Sequence, residues 1–257
     1  MSELTGKVVV LTGAASPHGI GFAMARRFAA AGASLFLADI AVDELKQRVA
    51  ELTGALGPQA RVEVAHYDLA EIDAGSRLIE DVVDQFGRID VLCNNAAIRV
   101  YKPFGEFSPA DFQSTINVNL AAPFFASQAV VPIMRRQGGG RIIHTASQLG
   151  TVASEMRAIY GLTKAALIHL TKSMALELAK DNILVNSISP GITYTGPIME
   201  REKNDPDGSR QRLNDYVPAG RYGRPDEIAE LAFFLATTSA TYLQGENIVI
   251  DGGYVVH

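Results

Sequence analysis

Two kinds of segment alternate along the chain. Short apolar or β-branched runs occupy residues 8–11, 34–38, 62–66, 91–93, 141–144, 184–188 and 248–250. Between them, residues 20–31, 42–52, 75–86, 111–136, 160–179 and 225–237 carry apolar side chains at three- and four-residue spacing. Nearly continuous apolar strands alternating with amphipathic helices indicate a parallel sheet with helices on both faces. The pattern therefore predicts an α/β fold: one doubly wound, Rossmann-type domain spanning residues 1–257, with a seven-stranded parallel sheet.

Punctuation agrees with this division. Gly32 closes the first helix, Gly54 and Gly57-Pro58 follow the second, and Pro109 opens the fourth. Gly138-Gly139-Gly140 separates that long fourth helix from the next strand. One segment breaks the rhythm: residues 193–223 are polar and read as a long irregular excursion after the sixth strand. Ligands of such sheets bind beyond the carboxyl ends of the strands, so the excursion is expected to be a substrate lid.

Composition narrows the function classes. The 257 residues are 47% hydrophobic with a net charge of −5, and no Lys/Arg-rich stretch is present to grip a phosphate backbone, which argues against nucleic acid. The single cysteine, Cys93, lies in an apolar run and reads as an inert buried thiol. The five histidines show no metal-ligand spacing. The N-terminus lacks a basic region followed by an apolar one, and no uninterrupted apolar run approaches the ~20 residues that span a bilayer. The expectation is a cytoplasmic protein with no membrane or metal partner.

Chemistry concentrates where strands end. The first strand runs into Thr12-Gly13, then Ser16, Gly19, Ile20 and Gly21 at the start of a helix. Glycines suit a backbone that turns sharply and approaches a pyrophosphate, while the helix N-terminus offers free N–H groups to the anion. Asp39 ends the second strand, with no arginine among Ile40, Ala41 and Val42. A carboxylate there accepts hydrogen bonds from ribose hydroxyls and repels a 2′-phosphate, which favours NAD over NADP; the bland reading is a turn into the next helix, with Asp43 available as its cap. Asp68 and Leu69 after the third strand, and Asn95 and Ala96 after the fourth, fall at the same edge.

Tyr160 and Lys164 stand four residues apart at the start of a helix, on one face. A phenol of pKa about 10 is a poor base at neutral pH. A positive charge ~4 Å away at an effective dielectric of ~20 is worth on the order of 4 kcal/mol, enough to make it useful in acid–base work. Ser147 follows the fifth strand and can hold a substrate oxygen. Asn119 is a polar residue on an otherwise apolar helix: a satisfied core or surface amide, or the anchor of a water linked to Lys164.

With these pieces in place, the chain resembles the short-chain dehydrogenase/reductase family, in its single-domain branch, from Lys7 to Gly253. The shared pieces are Thr12-Gly13 with Gly19-Ile20-Gly21, Asn94-Asn95-Ala96, Asn119, Ser147, Tyr160 with Lys164, Pro190-Gly191 and Asp251-Gly252-Gly253. The resemblance implies Tyr160 as acid/base, Lys164 on the nicotinamide ribose, Ser147 orienting substrate and Asn119 ordering a relay water. It also implies that Pro190, Gly191, Ile192, Thr193 and Thr195 lie at the nicotinamide end, and that the protein is a homotetramer or homodimer with its C-terminal strand near an interface. Two departures stand out. Gly13 and Gly19 are separated by five residues where the family usually has three, which predicts a bulged loop, and Ala97 replaces the glycine of the family's Asn-Asn-Ala-Gly.

The reading is an NAD-dependent oxidoreductase that moves a hydride between the cofactor and a secondary alcohol or ketone: a cyclic or aryl carbonyl, a sugar or a polyol. Arg99 and Arg157 flank the motifs and suit an acidic substrate, or are solvated loop arginines. The alternative is a non-catalytic NAD(H)-sensing or scaffold protein on the same fold. Enoyl reduction fits less well, because such members of the family generally space their Tyr and Lys more widely.

Overall fold

The computed structural model describes residues 3–52 and 61–256. Seven strands, β1 (Val8–Thr12), β2 (Ser34–Asp39), β3 (Val62–His66), β4 (Val91–Asn94), β5 (Gly140–Thr145), β6 (Ile183–Pro190) and β7 (Asn247–Ile250), form one parallel sheet in the order β3-β2-β1-β4-β5-β6-β7. The order reverses direction between β1 and β4, which opens a crevice at the carboxyl edge there. The expected α/β doubly wound sheet is present. Gly54 and Gly57-Pro58, placed after the second helix from the sequence, lie outside the described residues.

Each face of the sheet carries its own apolar layer. On one side Val9, Leu11, Leu35 and Leu37 pack with Phe22, Met24 and Phe28 of α1 (Ile20–Ala30) and Ile228, Ala232 and Phe233 of α9 (Pro225–Thr237). On the other, Val10, Phe36, Leu92 and Ile142 meet Leu78, Ile79 and Val82 of α3 (Ala74–Phe86), and Ala126, Val130 and Met134 of α5 (Ala122–Gln137). The central strands β1, β2 and β4 read as apolar runs because both of their faces are covered. The remaining helices are α2 (Val42–Leu52), α4 (Pro109–Ile116), α6 (Ala158–Leu178), α7 (Gly196–Asn204) and α8 (Pro206–Tyr216).

Three expectations need correction. The fourth helix opens at Pro109 as its punctuation indicated, with Ser108 and Asp111 forming a reciprocal cap, but the single long helix expected over 111–136 is divided by a π-helical turn at Asn117–Ala121 that joins α4 to α5. That joined helix, Pro109–Gln137, has a window of mean hydropathy 1.3 and is long and apolar enough to span a bilayer by length and composition, although polar residues interrupt it. Its place here is against α3, so closely that a Cβ on Gly75 would overlap the Ala122 carbonyl oxygen. Its apolar surface thus serves the sheet's core. Residues 193–223 are also less irregular than expected, since they hold α7 and α8. Finally, Asp43 is not the cap of α2; it lies inside the first turn and pairs with Lys46 at 3.1 Å.

Candidate active site

A cleft of about 900 Å³ runs along the carboxyl edge of the sheet, from the end of β2 past β1 and β4 to β5 and β6. Its floor begins with the loop after β1. Gly13 has φ +76°, and a Cβ there would stand 2.7 Å from the Ala96 Cα. A Cβ on Gly21 would overlap the Gly13 carbonyl oxygen, so the first turn of α1 packs onto the strand end only as glycine. The longer spacing between Gly13 and Gly19 resolves into an exposed turn over Ser16-Pro17-His18-Gly19, closed by Gly19 N–H donating to Ser16 O at 3.0 Å. The extra residues thus bulge outward and leave the glycine contacts intact.

Asp39 does more than line this end. Its carboxylate accepts from Ala15 N–H at 2.9 Å and from Ala41 N–H at 3.1 Å, tying the glycine loop to the end of β2. Two carboxylate oxygens offer about four acceptor sites, so capacity remains for ribose hydroxyls. Glu44 and Asp68 line the same end, and Asp68 caps its own turn through Ala70 N–H. Asn95 braces the loop from the other side, donating to the carbonyls of Thr12 and Gly13 at 3.0 and 3.1 Å.

At the other end, Tyr160 projects from the first turn of α6 and is 6% exposed. Lys164, one turn on and 2% exposed, donates to the Thr145 carbonyl at 2.6 Å, and its Nζ lies 5.6 Å from the Tyr160 ring centroid. The Arg99 guanidinium lies 5.4 Å from the same centroid. Burial opposes ionisation of the Tyr160 phenol, but the charges of Lys164 and Arg99, with hydrogen bonding from Arg99 and Ser147, outweigh it and hold the phenol below its ordinary pKa. Burial likewise depresses the Lys164 ammonium. Behind it, His144 is fully buried; burial and then the Lys164 charge push it down to about 3, so it is neutral. Its Nδ1 lies 3.3 Å from the Asn94 amide nitrogen, leaving the proton on Nε2.

The cleft is lined by Gly13, Ser16, Gly19, Ile20, Gly21, Asp39, Asp68, Leu69, Asn95, Ala96, Ser147, Tyr160, Lys164, Pro190, Gly191, Ile192, Thr193 and Thr195, all of them singled out from the sequence. Asn119 is different. It is fully buried in the π-helical turn behind the cleft wall, where its side chain accepts from Ile98 N–H at 2.8 Å and donates to Ile98 O at 3.0 Å. It clamps the strand-end loop that carries Arg99. Tyr67, Tyr101 and Arg201 also line the cleft and were not anticipated. Ser147 uses its Oγ to accept from Leu149 N–H at 3.1 Å, which fixes the side chain at the start of the following turn. Gln148 beside it is buried, with no partner for its Oε1 among the protein atoms.

The glycine-rich loop, the carboxylate at the end of β2 and the Tyr–Lys pair are laid out along one cleft as a nicotinamide dinucleotide requires. A family model described as enoyl-(acyl carrier protein) reductase matches residues 13–255. The 3-oxoacyl-[acyl-carrier-protein] reductase of Thermotoga maritima is 38% identical over 99% of this chain and 100% of its own length. The D-threitol dehydrogenase of Mycolicibacterium smegmatis is 37% identical over 99% of this chain and 95% of its own. The crystal structure of L-sorbose reductase from Gluconobacter frateurii, complexed with NADPH and L-sorbose, superposes with a TM-score of 0.92 at 33% identity, covering all of both chains. The chain belongs to the short-chain dehydrogenase/reductase family, enzymes that bind a nicotinamide cofactor and act on CH–OH groups.

Proposed function

We propose that the enzyme uses NAD to interconvert a secondary alcohol and its ketone, on a cyclic or aryl carbonyl, a sugar or a polyol, with Tyr160 as the general acid/base. The observation that carries this reading is the Tyr160 phenol, buried at the carboxyl edge of the sheet between Lys164 and Arg99 and facing Ser147. Oxidised nicotinamide, when bound, accepts the hydride that leaves the carbinol carbon. Ser147 holds the carbinol oxygen, tyrosinate takes its proton, and Lys164 and Arg99 hold the phenol below its ordinary pKa, so tyrosinate forms more readily. In the reverse direction the phenol returns the proton to the forming alkoxide.

Asp39 and Glu44, with no basic residue at the adenosine end of the cleft lining, support NAD over NADP. Named relatives use both: a glycerol dehydrogenase of Listeria innocua is NAD-dependent, whereas the sorbose reductase was seen with NADPH. The four-residue Tyr–Lys spacing supports carbonyl rather than enoyl reduction. A pure sensor would have no need of Ser147, Tyr160 and Lys164 in one cleft. The reading extends to a homo-oligomer, with exposed apolar side chains such as Leu176 and Val256 supplying contact surface.

The test is a panel of alcohols, polyols, hydroxy acids and ketones followed at the reduced-nicotinamide absorbance, with NAD and NADP in parallel. Tyr160→Phe should lower turnover of the best substrate by about 10³-fold while still binding NADH. Unchanged turnover in that variant sinks the assignment of Tyr160, and a clear NADP preference sinks that of Asp39.

A further inference from the structure

Charge along the cleft is divided. Its acidic residues, Asp39, Glu44 and Asp68, all lie at the adenosine end, whereas Arg99, Arg157, Lys164 and Arg201 lie at the catalytic end. Most arginines elsewhere have a carboxylate: Arg27 has Glu230 at 2.8 Å, Arg88 has Asp90 at 2.7 Å, Arg135 has Asp181 at 2.7 Å and Arg221 has Glu227 at 2.8 Å. Among the described residues, Arg99, Arg157 and Arg201 have no acidic side chain at ion-pair distance.

Arg99 is also held in place. Asn119 grips both backbone groups of Ile98 just before it. The loop continues to Tyr101, whose ring lies 5.1 Å from the Arg157 guanidinium, and to Lys102, whose N–H donates to Met156 O at 3.2 Å. Two loops, each bearing an arginine, are thereby tied together beside the phenol. A guanidinium so placed faces a like charge on Lys164, reaches the Tyr160 and Tyr101 hydroxyls, and has no carboxylate partner among the described residues. Its planar fork of N–H donors matches a carboxylate.

We infer that Arg99 binds a carboxylate on the substrate, within two carbons of the reacting carbinol, so that the enzyme interconverts a short 2- or 3-hydroxy acid and its oxo acid. This rests on the hydride-transfer reading above and puts an acid in place of the neutral substrates named there. The short reach follows from Arg99 and Ser147 both facing the one phenol: a substrate oxygen at Tyr160 leaves room for only a few bonds before the guanidinium. In oxidation the carbinol C–H bond breaks, its electron pair leaving as hydride to the oxidised nicotinamide. The hydroxyl proton goes to tyrosinate and the C=O bond forms. The carboxylate is unchanged and serves as the anchor.

The test compares matched pairs of equal shape: lactate with lactamide, and 3-hydroxybutyrate with 3-hydroxybutanamide, each with a saturating cofactor. The wild-type enzyme should prefer one of the acids over its amide by about 30- to 100-fold in kcat/KM, the range that charge-assisted hydrogen bonds supply. Arg99→Gln should bring that ratio close to one, chiefly through KM for the acid, and Arg99→Lys should retain part of it. If Arg99 serves only to tune the phenol, Arg99→Gln lowers both members of a pair alike; an unchanged ratio overturns the inference. Because the variant could misfold, wild-type enzyme oxidising a neutral alcohol is also titrated with propionate and propionamide. Competitive inhibition by propionate alone supports the anchor, and equal inhibition overturns it. A phosphate monoester preferred over the acids overturns the carboxylate assignment. Turnover of neutral alcohols with no acid preference removes this inference and leaves the broader reading; turnover of nothing in the panel removes both.

Discussion

The two ends of the cleft are built from the same fold element, a strand end turning into a loop, yet they solve opposite electrostatic problems. At the adenosine end a half-buried carboxylate, Asp39, is satisfied by two backbone N–H groups and remains near solvent. At the catalytic end a buried ammonium and a guanidinium press on a buried phenol. In the first case charge and backbone are mutually satisfied, so the carboxylate recognises without becoming reactive. In the second, like charges are brought together beside a phenol that relieves them by giving up its proton. Stability at one end and reactivity at the other follow from whether the partner is a fixed dipole or a titratable group.

That contrast is open to attack by substitution. The largest effect is expected from Lys164→Met. Loss of the buried charge should lower kcat by 10²- to 10³-fold, and the pH profile for alcohol oxidation should move upward, since tyrosinate then forms only at higher pH. A profile that stays in place would mean Arg99 alone governs the phenol. Next, Gly21→Ala should weaken cofactor binding by about 10²-fold in a fluorescence titration, because its Cβ has to displace the Gly13 carbonyl, whereas the catalytic end keeps its geometry.

Acid stability comes third and reports on the positive end from behind. His144 is neutral in the fold down to about pH 3, whereas unfolded histidine protonates near 6.5. Between those values the unfolded state binds more protons, so stability falls as pH falls. The loss between pH 6.5 and 5 should be about 1 to 2 kcal/mol by denaturant titration, and His144→Asn should remove most of that slope. An equal slope in the variant would place the acid sensitivity elsewhere. The smallest effect belongs to Asp39→Asn, which keeps an acceptor but drops the charge: NADP binding should improve by about 10-fold, with a smaller loss for NAD, measured as Kd. No gain for NADP would show that Asp39 acts as a loop brace and not as a phosphate filter.

Sequence patterning carried the central strands best: β1, β2 and β4 are covered on both faces and appear as apolar runs, whereas the edge strands β3 and β7 are only half-buried. The runs end one or two residues early at Thr12, Asp39, Asn94, Thr145 and Pro190, where polar or turn-forming residues extend the strand into the cleft. Those same interruptions are what made the site legible. Helices α7 and α8 were missed because they are short and polar, with Pro206 opening α8 and Gly208 inside it, and gain little from burial. The π-helical turn left no pattern at all; it carries Asn119, which reaches across to Ile98. The same bridge explains why the sequence left Asn119 undecided. A residue 21 positions away is invisible to periodicity. Arg99 suffers likewise, since a loop arginine acquires meaning only once the fold sets it beside Tyr160.

The segment bearing α7 and α8 leaves the sheet after β6 and its two ends pair with each other, while Ala219 N–H donates to Gly252 O at 3.0 Å just beyond β7. Thr193 and Gly223 form an isolated parallel bridge, with Gly223 N–H donating to Ile192 O at 3.0 Å and Tyr194 N–H to Gly223 O at 2.8 Å. A detour fastened at its neck behaves as an interchangeable cassette: its contents can be rewritten while the frame that carries the chemistry is left alone. Grafting residues 195–222 from a relative with a different substrate should therefore transplant ligand choice without altering how the sheet assembles.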